Sequence, residues 1–216
     1  MSGTLSPPTR RWYVPLCLAS GLISLAISPN TVLADVTNLV SNGNFETPSA
    51  GSTFTEYRTG TNLGGWAVTG DSVDLLGIKY QAASGIQSLD LCGVAAGAVY
   101  QDLATVPGQG YVLTFAMAGN TDGSPVVKQL RVNWGDVAVD TPSFDTTGHN
   151  VSNMGWTYRS YDVVAASSVT RLTFTSLTAG MFGPAIDNVS VTVPEPSSLV
   201  LLALAAPMLF RRRRSQ

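Results

Sequence analysis

Short runs in which apolar and polar residues alternate one by one constrain this chain more than any other feature. In Tyr111–Ala118, Leu113, Phe115 and Met117 fall on one side. In Val169–Ser176, Leu172 and Phe174 share a side with Thr170 and Ser176. In Ala185–Val193, Val189, Val191 and Val193 alternate with Asn188, Ser190 and Thr192. A period of two belongs to a strand with one face turned inward. No window of a dozen residues holds the 3.6 period of a helix, and Gly, Asn, Asp and Pro interrupt the runs at short intervals. Strands are predicted near Val36–Val40, Gly65–Thr69, Val73–Leu76, Gln87–Leu91, Ala98–Leu103, Tyr111–Ala118, Val127–Asn133, Val137–Asp140, Thr157–Val164, Val169–Ser176 and Ala185–Val193. About eleven strands with frequent turns predict an all-β sandwich. Asp187 has the parity of Val189 and Val191, so an unbroken strand would aim it inward. A carboxylate placed there must be paired, hydrogen-bonded or metal-bound.

The two ends read differently from the body. Arg10 and Arg11 precede a mostly apolar stretch, Val14 to Ile27, and Val32-Leu33-Ala34 offers small or aliphatic residues for cleavage. This is the pattern of a secretory signal helix over residues 1–34, with a mature chain from Asp35. Cys17 lies in the apolar stretch, but Leu16 stands where a lipoprotein signal needs Gly or Ala. At the other end come Pro194, Glu195 and Pro196, then an uncharged run from Ser197 to Phe210, then Arg211, Arg212, Arg213 and Arg214. That order, over 194–216, resembles the PEP-CTERM sorting tail that an exosortase processes at the bacterial surface. As a helix of about 1.5 Å per residue the run reaches roughly 21 Å, against a hydrocarbon core of about 30 Å. It fits transient membrane engagement better than a permanent span, and the arginines favour the cytoplasmic side. A retained short anchor is the other reading.

Of 12 basic residues, two lie in the leader and four in the tail, and of 14 acidic residues one lies in the tail. The body, 35–193, therefore keeps 6 basic against 13 acidic residues, a net charge of −7. Such a surface has no electrostatic footprint for nucleic acid. Cys92 is the only cysteine of the body, so no disulfide forms within it, and its apolar setting predicts a buried inert thiol.

The body opens on Asn38-Leu39-Val40-Ser41-Asn42-Gly43-Asn44-Phe45-Glu46 and closes on Gly183-Pro184-Ala185-Ile186-Asp187-Asn188-Val189-Ser190-Val191. These borders resemble those of galactose-binding-like jelly-roll modules. With G-W-A-V-T-G-D-S-V-D-L-L, V-N-W-G-D, N-M-G-W-T-Y and L-T-F-T-S-L, the stretch Asn38 to Val193 resembles the choice-of-anchor C family. The resemblance extends to plant cell-wall proteins thought to bind polysaccharide. It implies a galactose-binding-like jelly-roll β-sandwich, and, loosely, carbohydrate binding. It also implies a structural calcium with Glu46 and Asp187 as side-chain ligands, since calcium takes hard oxygen donors. The competing reading has both carboxylates hydrogen-bonded to backbone turns.

Among the aromatics, Trp66 and Trp156 read as core fillers. Tyr80 and Trp134, next to Lys79 and Asp136, read as exposed platforms for sugar rings. Trp156, Tyr158 and Ser160 fall on one side of a strand. Asp71 and Asp74 follow Trp66 and would line a cleft, a solvated turn being the alternative. His149 lies in a polar loop, and no G-x-S-x-G elbow accompanies it. A glycosidase needs two placed carboxylates, and 13 acidic residues guarantee some pair without selecting one. The expected protein is non-enzymatic and exported. It would bind extracellular polysaccharide or envelope glycan at the cell surface or in the matrix. The alternatives are a matrix component working through protein contacts and a hydrolase of envelope glycan or ester.

Overall fold

The computed structural model describes residues 37–194. The predicted signal helix, Glu195, Pro196, the apolar run and Arg211 to Arg214 lie outside the described residues. Thirteen strands follow one another: β1 (Phe54–Arg58), β2 (Asn62–Leu63), β3 (Trp66–Gly70), β4 (Ser72–Leu76), β5 (Ser88–Asp90), β6 (Gly97–Ala104), β7 (Gly110–Gly119), β8 (Val127–Trp134), β9 (Val137–Asp140), β10 (Ser143–Asp145), β11 (Thr157–Val164), β12 (Val169–Ser176) and β13 (Pro184–Thr192). One sheet has the order β1-β4-β5-β13-β7-β11. The other has β10-β8-β12-β6-β3-β2, with β9 also paired to β8. All pairings are antiparallel. The fold is the expected all-β jelly-roll sandwich, and no helix occurs among the described residues.

The alternating residues build the interior. Leu113, Phe115, Met117, Leu172 and Phe174 are all fully buried. A run of rings ties the layers together. Phe45 meets Trp66 at 5.6 Å, Trp66 meets Phe174 at 6.1 Å, and Phe115 of the first sheet meets Phe174 of the second edge-on at 5.0 Å. Such ring pairs add to what their buried area alone contributes. Phe45 enters from the Asn42-Gly43 turn, with Asn42 at φ 50°.

Three departures from the expected strands have physical reasons. The predicted strand at Val36–Val40 is absent over the described residues 37–40. Instead Leu39 N donates to Val191 O at 2.9 Å, while Asn38 Oδ1 accepts from Val40 N and Val191 N. A side-chain amide thus replaces a ladder bond. Strands β1, β2 and β10 were not predicted: β1 is a half-exposed edge strand, and the other two have only two and three residues. Finally, β13 is not continuous. Its pairing to β7 runs Ile186↔Met117 and Asp187↔Ala116, then resumes at Ser190↔Thr114 and Val191↔Leu113. One extra residue, with Asn188 at φ 49°, makes a β-bulge. Ile186 and Val191 therefore both face the interior, whereas Asp187 lies on the outer face of the first sheet. The expectation that Asp187 points inward with Val189 and Val191 is corrected: it is buried, but beneath a loop.

Candidate functional site

That loop is the segment 77–87, which joins β4 to β5 across the outer face of the first sheet. Two carboxylates grip its second half. Asp187 Oδ2 accepts from Ala83 N and Ser84 N, both at 2.8 Å, and Oδ1 accepts from Asn188 N at 2.6 Å. Glu46 Oε1 accepts from Ile86 N at 2.8 Å and Gln87 N at 3.0 Å. Gly85 sits between the two grips at φ +70°, and a Cβ there would come within 2.2 Å of Glu46 Oε1. Burial pushes Asp187 up to about 7, against the pull of its three amides, and the Glu46 charge adds to the rise. The structure thus brings Glu46 and Asp187 to one loop, as the resemblance implies. Their donor set does not fit a calcium ion, because five N–H dipoles point their positive ends at these oxygens. Among the described residues, no three His, Cys, Asp or Glu side chains are placed to hold a metal.

On one side of the loop is a cleft of about 410 Å³. Phe54, Val94 and Met181 give it exposed apolar walls, and Glu56, Asp74, Lys79, Tyr80, Asn120 and Asp122 give it polar ones. The register makes a row: Glu56 stands opposite Asp74, and Asp74 opposite Asp90, across β1, β4 and β5. Glu56 Oε1 and Asp74 Oδ1 are both buried without a hydrogen-bond partner. Arg58 Nη2 lies 3.0 Å from Glu56 Oε1 without hydrogen-bond alignment, and its side chain is largely exposed. That contact supplies weak attraction only. Burial, and then the Glu56 charge, push Asp74 up to about 6.

A polar chain backs the cleft. Tyr80 Oη donates to Asp122 Oδ2 at 2.7 Å, and Lys79 Nζ donates to the same oxygen at 2.8 Å. Asp122 N donates to Asn120 Oδ1, and Asn120 Nδ2 donates to Asp90 Oδ2 at 2.7 Å. Asp90 is fully buried, and burial lifts it to about 7 although Asn120 and the amides of Cys92 and Gly183 oppose the rise.

On the other side of the loop is an open groove of about 420 Å³, lined by Gln81, Ala82, Ala83, Asn153, Gly155, Trp156 and Tyr158. Trp156 Nε1 donates to Gln81 O at 2.8 Å, and Met154 N donates to Gln81 Oε1 at 2.9 Å. Tyr158 lies opposite Ala116 and is 65% exposed.

The remaining predicted residues are placed as follows. Tyr80 and Trp134 are not exposed platforms; they are only 4% and 5% accessible. Tyr80 is covered by the loop it belongs to and offers the cleft its hydroxyl end. Trp134 packs on Tyr111 at 5.9 Å and donates its indole N–H to Val164 O. Asp71 is an exposed turn residue, apart from Asp74 in the cleft. Trp66 is buried as expected, and Trp156 is half-buried. Cys92 is buried, and burial pushes its thiol up to about 11. His149 stacks on Phe144 at 5.3 Å. Sequence reasoning missed Glu56 as a partner for Asp74, since only the unpredicted β1 brings the two together. It also missed Asp122, whose link to Tyr80 spans 42 residues.

The architecture defines a β-sandwich domain with depressions on both sides of the loop 77–87. Residues 38–192 match the family described as "Protein of unknown function (DUF642)", and the chain belongs to that family. It is 32% identical over 201 residues to halomucin of Haloquadratum walsbyi, covering 88% of this chain. It spans about 2% of that relative's length. In fold it is similar to TmCBM61, solved in complex with β-1,4-galactotriose, at 14% identity and a TM-score of 0.47 over 73% of this chain and 99% of that one. It is also similar to the CBM22-1 xylan-binding domain of Paenibacillus barcinonensis Xyn10C. There the identity is 16% and the TM-score 0.47, over 74% of this chain and 97% of that one.

Proposed function

We propose that this chain is an exported, non-catalytic glycan-binding module, placed at the cell surface or in the extracellular matrix by its sorting tail and an exosortase. The ligand site is the cleft beside Tyr80. The observation that carries the reading is Asp74 Oδ1, buried without a donor and opposite Glu56, in the wall of an amphipathic hollow. Buried acceptors are costly unless a donor reaches them, and sugar hydroxyls are such donors. The apolar walls at Phe54, Val94 and Met181 suit the C–H faces of a sugar ring. The acidic body is in keeping with work in a hydrated matrix.

Glycan-array binding by the whole chain in mild detergent tests this. Binding is expected, and Asp74→Asn or Asp122→Ala is expected to weaken it at least about tenfold, near the 1.4 kcal/mol that one charge-assisted hydrogen bond contributes. An array on which nothing binds favours the matrix component that works through protein contacts. One observation favours a hydrolase: Asp74, raised to about 6, stands directly opposite Glu56, and glycoside hydrolysis needs two placed carboxyls. Release of reducing ends from any bound glycan, lost in Glu56→Gln, would replace the non-catalytic reading.

Glu46 and Asp187 belong to this proposal as amide clamps on the loop rather than as calcium ligands. A chelator is expected to leave the melting temperature unchanged. A fall that added calcium reverses would restore the metal.

A further inference from the structure

The groove on the far side of the loop is a different surface from the cleft. Tyr158 is an aromatic ring standing largely in solvent on the first sheet's edge strand. Its hydroxyl makes no hydrogen bond to the protein and is free to meet a ligand. A lone exposed aromatic would need no explanation. This one stands beside an indole that cannot turn, because Trp156 Nε1 is held by Gln81 O.

The rest of the groove is equally fixed. Gln81 is pinned through its own N–H to Val151 O at 2.7 Å and through Oε1 by Met154 N. Asn150 Oδ1 accepts from Ser152 N and Asn153 N, which sets the turn that presents Asn153. At Gly155, with φ +71°, a Cβ would come within 2.2 Å of the His149 ring, so the backbone lies directly against that imidazole. Two amide groups remain without a protein partner: Gln81 Nε2, and the Asn153 side chain. No charged residue lines the groove.

We infer that this groove is a second glycan-binding surface, for the interior of a neutral polysaccharide strand. The inference shares with the cleft reading only its ligand class. Stacking rings on fixed supports take the apolar face of a sugar at little ordering cost. Free amides pair with hydroxyls, and the lack of charge selects neutral residues. The open shape admits a passing strand, whereas the cleft is walled by loops and acidic. With both surfaces occupied, one domain would join two strands, or two places on one strand.

Native affinity gels containing xylan, β-galactan or hydroxyethylcellulose, run on the whole chain, test the groove. At least one polymer is expected to retard the protein. Tyr158→Ala should raise the apparent Kd at least fivefold, and Tyr158→Phe, which keeps the ring, should stay within twofold. Asp102→Ala, on the solvated face of the other sheet, should leave this retardation in place, which ties the loss to the groove. Retardation unaffected by Tyr158→Ala, or no retardation by any of the three polymers, overturns the groove. The cleft reading is then judged separately, by the array and Asp74→Asn.

Discussion

The two outer faces of the sandwich obey different rules. On the second sheet, β8 and β12 alternate buried and exposed almost residue by residue. The outward residues include Arg171, which forks onto Asp102 at 2.7 and 2.8 Å and lies 3.8 Å over the Tyr100 ring. That face is solvated. On the first sheet the alternation fails. The end of β7 and the start of β13 are buried on both sides, and so is β5. That face is roofed by the loop 77–87, and the loop forms walls of both candidate sites. A lapse of alternation within a strand therefore marks cover, and here cover marks the chemistry.

The contrast can be broken most severely at Asp187. Asp187→Ala leaves the amides of Ala83, Ser84 and Asn188 without an acceptor beneath the loop. A loss of about 3 kcal/mol is expected in urea unfolding, in line with stranding buried donors of a charged acceptor. A change below about 1 kcal/mol would mean the clamp does not hold the roof. Next comes Gly85→Ala, expected to cost about 2 kcal/mol through its positive φ and the collision with Glu46 Oε1. Gly108→Ala, at φ +79° but with open space around it, should cost about half as much.

A pH titration sharpens the comparison further. Asp74 at about 6, and Asp90 and Asp187 at about 7, hold their protons more tightly in the fold than in the unfolded chain. The stability this brings is complete below about pH 4 and is lost as pH rises through 6 to 7. Melting temperature should fall by more than about 3 °C between pH 5 and 8, since one pKa unit on a single group already corresponds to about 1.4 kcal/mol. Asp90→Asn should flatten that slope, and an unaltered slope would remove Asp90 from the account. The smallest effect belongs to the solvated face. Asp102→Ala, which breaks an exposed pair, should cost less than about 1 kcal/mol.

The solvated face was the legible one. Leu172 and Phe174 announced their strand because one side of it meets water and the other does not. The roofed face left weaker traces. Asp187 was singled out by its parity, yet the parity argument aimed it at the wrong layer, since a bulge cannot be seen in a pattern of residue types. Tyr80 read as exposed because Lys79 precedes it. Its hydroxyl is held by Asp122, and no local pattern announces a partner that far along the chain. Glu56 stayed invisible because Phe-Thr-Glu-Tyr-Arg lacks the apolar alternation of a buried strand. Trp156 and Tyr158 were expected on one side of a strand; Trp156 lies just before β11 and Tyr158 within it, and only the folded loop supplies Gln81 beside them.

The slip in register at residues 187–190 has a consequence for how such a surface can change. With a regular β13, either its apolar set or its acid would look the wrong way. Because one extra residue turns the ribbon over midway, its leading half serves the roof while its trailing half serves the interior. The covering segment can then lengthen, shorten or trade its lining side chains without disturbing the packing behind it. The roof of this domain can change while the rings packed between the two sheets stay as they are.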